Sequence, residues 1–103
     1  MDQWPDTANF HSSLRTALSN EQVADLYGAL GWRIRRCGWS EYEVSGPWAQ
    51  LIIEADAPIL MHGFLVDVLV HVDELLSPLG GAGVAFTAEC YGPAGELLRE
   101  LRG

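Results

Sequence analysis

The chain contains no lysine. Its six basic residues are all arginine, set against fourteen carboxylates, for a formal charge of −8 over 103 residues. Binding a phosphate backbone requires neutralising cations, so this balance argues against direct nucleic-acid recognition. The missing lysine also excludes a P-loop, whose motif needs one at the phosphates. Cysteine is scarce: Cys37 and Cys90 form no CxxC pair and read as free thiols of a cytoplasmic protein. No apolar run is long enough to cross a bilayer, since PILMHGFLVDVLV is interrupted by His62, Gly63 and Asp67. The opening MDQWPDTANF lacks a basic segment followed by an apolar one, so no secretory signal is expected. Repeats, linkers and low-complexity blocks are absent as well.

What is present suits one folded domain over residues 1–103. A hydrophobic fraction of 49% can build a core, and the length fits one domain and not two. Residues 1–6, MDQWPD, read as an extended arm, because Pro5 pushes Trp4 out of helical geometry. Phe10, Leu14, Ala17 and Leu18 recur at helical spacing behind Thr7 as N-cap, which predicts a short helix over 7–18. A second helix is predicted over 19–30. There Ser19 and Gln22 fit a capping box, Val23, Leu26, Tyr27 and Leu30 form one stripe, and Gly31 supplies the stop.

From Trp32 the period changes to two. Trp32 and Ile34 oppose Arg33 and Arg35, Tyr42 and Val44 oppose Glu41 and Glu43, and Leu51 and Ile53 oppose Gln50 and Glu54. Breaks at Gly38 and at Ser45 to Pro47 make this an antiparallel three-strand meander. Residues 58–62 either add a short strand or lead directly onward. Leu65, Val68, Leu69, Val72, Leu75 and Leu76 predict a helix over 64–76, ended by Pro78, Gly80 and Gly81. Val84, Phe86, Ala88 and Cys90 then alternate with Ala85, Thr87, Glu89 and Tyr91, GPAG turns the chain, and 96–101 returns as a strand. The order α-α-β-β-β-(β)-α-β-β predicts an α+β two-layer sandwich. Its antiparallel sheet has about four to six strands, with helices on one face and the other face open.

Chemistry-bearing residues are few and scattered. His11, His62 and His71 are far apart in sequence, and Asp67 and His71 at i, i+4 lack a third ligand, so neither a metal nor a cofactor is expected. Cys90 falls on the apolar parity of its strand, where a thiol acts as a small hydrophobe. Cys37 adjoins Arg36, but no histidine is tied to it by sequence. Glu41 and Glu43 point the same way, and cross-strand pairing with Arg33 and Arg35 explains them better than acid–base catalysis. A non-enzymatic protein is therefore expected.

The polar parity of the strands collects Arg33, Arg35, Glu41, Glu43, Gln50, Glu54, Thr87 and Glu89, together with Trp48, Ile52 and Tyr91. Trp39 stands in a turn beside them. Aromatics supply contact area and charges steer an encounter, so the candidate partner-binding set is Trp39, Glu41, Glu43, Trp48, Gln50, Glu54, Glu89 and Tyr91. A solvated strand face with Trp48 packed at its edge would account for the same residues. The leading expectation is a small acidic protein-binding domain with the build of an immunity or antitoxin protein, one that blocks a cationic bacterial effector. One alternative is a dimeric chaperone-like or housekeeping module using the apolar helix 64–76, where Val66 and Val70 widen the apolar arc. The other is a small-ligand domain with a cavity between sheet and helices near His62.

Overall fold

The structure, a computed structural model, describes residues 7–55 and 57–103; the arm expected over 1–6 lies outside the described residues. The elements in chain order are β1 (Thr7–Arg15), α1 (Asn20–Gly28), β2 (Arg33–Cys37), β3 (Glu41–Ser45), β4 (Ala49–Ile53), β5 (Ile59–Val66), α2 (Val68–Gly81), β6 (Ala85–Tyr91) and β7 (Leu97–Arg102). The strands form one sheet in the order β2-β3-β4-β5-β1-β6-β7. Every neighbouring pair is antiparallel. The α+β architecture is as expected, but the sheet has seven strands rather than four to six.

The extra strand comes from residues 7–18, where the sequence predicts a helix. Ala8, Phe10, Ser12 and Leu14 are all buried, a period of two that only a strand produces. Phe10 and Leu14 lie four residues apart and so satisfy both periods, while the polar Ser12 hides the alternation. Ser12 is tolerated in the core because its hydroxyl donates to the Met61 carbonyl oxygen at 2.8 Å. The resulting β1 is the penultimate strand toward neither edge: it pairs with β5 on one side and β6 on the other.

The second correction lies at residues 64–67. Phe64, Leu65 and Val66 fit the apolar stripe of a helix, yet they complete β5, which also absorbs residues 59–62 of the undecided segment 58–62. The switch occurs at Asp67, whose left-handed backbone (φ 50, ψ 61) turns the chain directly into α2 with no connecting loop. Aspartate is among the few non-glycine residues that adopt this conformation at modest cost. Gly63 is required by close approach, since a Cβ there would overlap the Gln50 carbonyl oxygen and sit 2.9 Å from the Leu51 Cα on β4.

α1 forms with the N-cap the sequence predicts but ends at Gly28, so Leu30, expected in its buried stripe, lies beyond the helix and is exposed. The Ser19 hydroxyl accepts from the Gln22 backbone N–H, and the Gln22 side chain accepts from the Ser19 N–H, a complete capping box. Val23, Ala24 and Tyr27 of α1 and Val68, Val72, Leu75, Leu76 and Leu79 of α2 share one core with the inward sheet residues, among them Val44, Leu51, Ile53, Met61, Leu65, Ala88 and Cys90. The Tyr27 hydroxyl donates to the Leu75 carbonyl oxygen at 2.8 Å and ties the helices together. Both helices thus occupy one side of the sheet.

Candidate functional site

The register places the opposite side of the sheet in rows. Arg35, Glu43, Ile52, His62, His11, Glu89 and Glu100 face one another in sequence across all seven strands. A second row runs from Arg33 through Ser45, Gln50, Phe64 and Asn9 to Tyr91. Leu60, Ser13, Thr87 and Arg102 form part of a third. Along each strand these residues alternate with the core set, so they lie on the face away from the helices.

This face is internally bonded. Glu43 accepts from Arg35 Nε at 3.1 Å and from Gln50 Nε2 at 2.6 Å. Glu54 Oε2 lies 2.5 Å from His62 Nε2. The His62 and His11 rings stack with centroids 6.4 Å apart, and His11 meets Tyr91 edge-on at 6.1 Å. The Tyr91 hydroxyl donates to Glu89 Oε1 at 2.9 Å. That bond, burial, and the charges of Glu89 and Glu100 hold its phenol above the ordinary range. A shallow groove of about 390 Å³ runs beside these groups, lined by His11, Ser13, Thr87, Glu89, Glu100 and Arg102.

Six of the eight expected partner-binding residues share the open face: Glu41, Glu43, Gln50, Glu54, Glu89 and Tyr91. Trp39 sits at the β2–β3 turn and is 93% exposed, with its carbonyl oxygen accepting from Arg36 Nη2 at 2.5 Å. Trp48 does not join them. β4 begins at Ala49, so Trp48 follows Pro47 outside the regular pleat and parity does not govern it. Its ring stacks on His71 of α2 (4.4 Å, 4°) and meets Trp32 edge-on at 5.1 Å, and Trp32 contacts Tyr27 of α1. Trp48 is a clasp between the helices and the β3–β4 turn. Sequence reasoning overlooked His11, His62 and Phe64 on the open face. The alternation of Asn9, His11, Ser13 and Arg15 with the buried even-numbered residues is the signal that identifies the first of these.

The charge is distributed unevenly. Among the described residues the open face carries Glu41, Glu43, Glu54, Glu89 and Glu100 against Arg15, Arg33, Arg35 and Arg102, five acids against four of the six arginines. The helices and the residues on their side of the sheet carry Glu21, Asp25, Asp67, Asp73 and Glu74 against Arg36 and Arg99, and Glu96 lies in the β6–β7 turn. The acid excess among the described residues therefore lies away from the open sheet, which is close to neutral.

Other candidate chemistry resolves into structure. Cys90 is fully buried, and burial pushes its thiol up to about 11. Cys37 is a half-buried free thiol. The Glu43 oxygens are engaged by Arg35 and Gln50. Among the described residues no three His, Cys, Asp or Glu side chains are grouped to hold a metal ion, and no helix is long and apolar enough to cross a membrane. The ligand cavity expected between sheet and helices near His62 is misplaced, because His62 faces away from the helices. Comparison with family models, curated proteins and solved structures finds no match to the chain.

Proposed function

We propose that the chain is a non-enzymatic protein-binding domain whose open sheet face is the contact surface, most concretely an immunity- or antitoxin-type inhibitor of a cationic effector. One observation carries this reading: among the described residues no helix covers this face of the seven-stranded sheet, which gathers Ile52, Phe64, His62, His11 and Tyr91 amid bonded charges. Rings of this kind offer contact area at low entropic cost, and fixed polar groups select the register of a partner. The overall charge of −8 speeds the approach of a cationic partner and suppresses acidic competitors.

The test is an association-rate measurement with a partner captured from the native host. Charge reversal of Glu41, Glu43 and Glu54 slows association and flattens its salt dependence. If those variants bind unchanged while Asp73→Arg and Glu74→Arg abolish association, the contact surface lies on the helices and the reading fails.

Leu69 and Val70, 66% and 71% exposed on α2, favour a second reading, association of two copies through this helix. The helix is shifted from the expected 64–76: α2 starts at Val68, Val66 belongs to β5, and the helix runs on through Pro78 to Gly81, burying Leu79. Light scattering that gives the monomer mass at micromolar concentration removes it.

A further inference from the structure

We infer that His11 and His62 form a coupled proton switch that sets the sign of the open face. The inference concerns regulation of the surface proposed above for partner binding, and its first test needs no partner. The two imidazoles stand directly opposite each other on β1 and β5, at the centre of the seven strands, with their rings stacked. They were read from the sequence as isolated histidines, and only the strand β1 brings them together.

The reasoning is a charge count. Among the described residues, with both imidazoles neutral, five glutamates against four arginines leave the open face at a formal −1; with both protonated it stands at +1. Two protons therefore exceed the resting charge of the surface and reverse it. On the helix layer, where five described acids face two arginines, the same two protons would change nothing in sign. Histidine is the side chain that carries such a charge change in proteins most often.

Every strand near the pair contributes a group that responds. From just past the end of β4, Glu54 meets His62 Nε2 at 2.5 Å. From β6, Glu89 faces His11 directly, while Tyr91 touches the His11 ring and bonds to Glu89. From β7, Glu100 lies opposite Glu89 and Arg102 opposite Thr87. On β3, Glu43 is engaged by Arg35 of β2 and by Gln50 of β4. Arg15 ends β1 itself. Each imidazolium thus has a carboxylate to meet, Glu54 for His62 and Glu89 for His11, while the two stacked cations oppose each other. Interacting sites of this kind lose their protons in steps that belong to the pair.

The experiment has two arms. In the first, imidazole resonances are followed by NMR against pH in the native chain and in His11→Gln and His62→Gln. Each histidine of the native chain responds to the titration of the other, giving two-step curves, and each variant leaves a single-step curve for the remaining ring. Single-step curves in the native chain that neither substitution alters overturn the proposal. In the second arm, binding of an oligo-arginine peptide at low salt is compared at pH 7.5 and 5.5. Affinity of the native chain falls by about tenfold, as expected for two added charges roughly 10 Å from a multiply charged probe, and the His11→Gln/His62→Gln double variant loses most of that dependence. An unchanged pH dependence in the double variant overturns the switch. If the peptide is released only by Asp73→Arg and Glu74→Arg, the sheet-face binding reading falls instead, and the resonance curves still decide whether the pair is coupled.

Discussion

Replacing Trp48 with alanine separates scaffold aromatics from surface aromatics. A tryptophan side chain offers roughly 150–250 Å² for burial, and the ring of Trp48 is half-buried against the core. About 100 Å² of apolar area removed from water is worth about 2.5 kcal/mol at roughly 25 cal/mol per Å². The stack on His71 and the edge contact with Trp32 add roughly 0.5–1.5 kcal/mol each if they behave as ordinary ring pairs. The expected loss is about 4 kcal/mol, a fall in Tm of roughly 15–30 °C for a domain of this size. Urea unfolding followed by circular dichroism measures it. The companion substitution, Trp39→Ala, removes a ring that is 93% exposed and leaves stability within about 0.5 kcal/mol, while weakening partner binding. A Trp48→Ala variant that loses less than about 1 kcal/mol yet fails to bind would show that Trp48 belongs to the contact surface and that the clasp is incidental.

Three further outcomes are expected. Gly63→Ala forces a Cβ against the β4 backbone at Gln50 and Leu51 and costs about 3 kcal/mol or more, because backbone cannot yield as a side chain can; an unfolding midpoint equal to that of the native chain would contradict the β4–β5 register. Burial pushes the Cys90 thiol up to about 11, so the folded chain keeps a proton that the unfolded chain sheds near its ordinary value. The contribution is intact below about pH 8.5 and is lost as the pH rises toward 11, up to about 3 kcal/mol. Urea titrations at pH 8 and 10.5 detect this loss, and Cys90→Ala makes the decline shallower. Tyr27→Phe removes the bond to the Leu75 carbonyl oxygen and costs about 1 kcal/mol in the same denaturation assay, with no effect on partner association.

Legibility in the sequence followed the competition between periods. α1 was readable because its stripe, capping box and terminal glycine agree, and the β2–β4 meander because arginine or glutamate alternates with apolar residues. Residues 7–15 were not, since Phe10 and Leu14 satisfy a helix and a strand alike and a serine fills a core position that only the Met61 carbonyl oxygen makes tolerable. Residues 64–66 were ambiguous for a related reason: an apolar run fits a helix and a buried strand equally, and the arbiter is the Asp67 backbone, which no spacing reveals. The open face inherited both errors. Its carboxylates were found from parity, but its centre lies on β1 and β5, so His11 and His62 were invisible as a pair. Trp48 went wrong where parity was applied beyond the end of a strand.

The same misplacement explains why composition alone points to the wrong surface. A charge of −8 invites an acidic patch as the partner's target, yet four of the six arginines lie among the five glutamates of the open sheet. The surplus acids among the described residues lie away from that face, most of them across the core on the helix side. At physiological salt the screening length is roughly 8 Å, so the field of those acids is weakened at the open face. On the proposed reading they still help to draw in a cationic partner, and attraction and recognition then belong to different layers. Neutralising Asp73 and Glu74 should lower the association rate modestly at low salt and leave the dissociation rate alone, charge reversal at Glu43 should slow association and also speed dissociation, and changes at Gln50 or Tyr91 should act on dissociation. Dissociation that responds to the helix-layer acids as strongly as to the sheet residues would mean that the partner sits on both, and the division between layers would not hold.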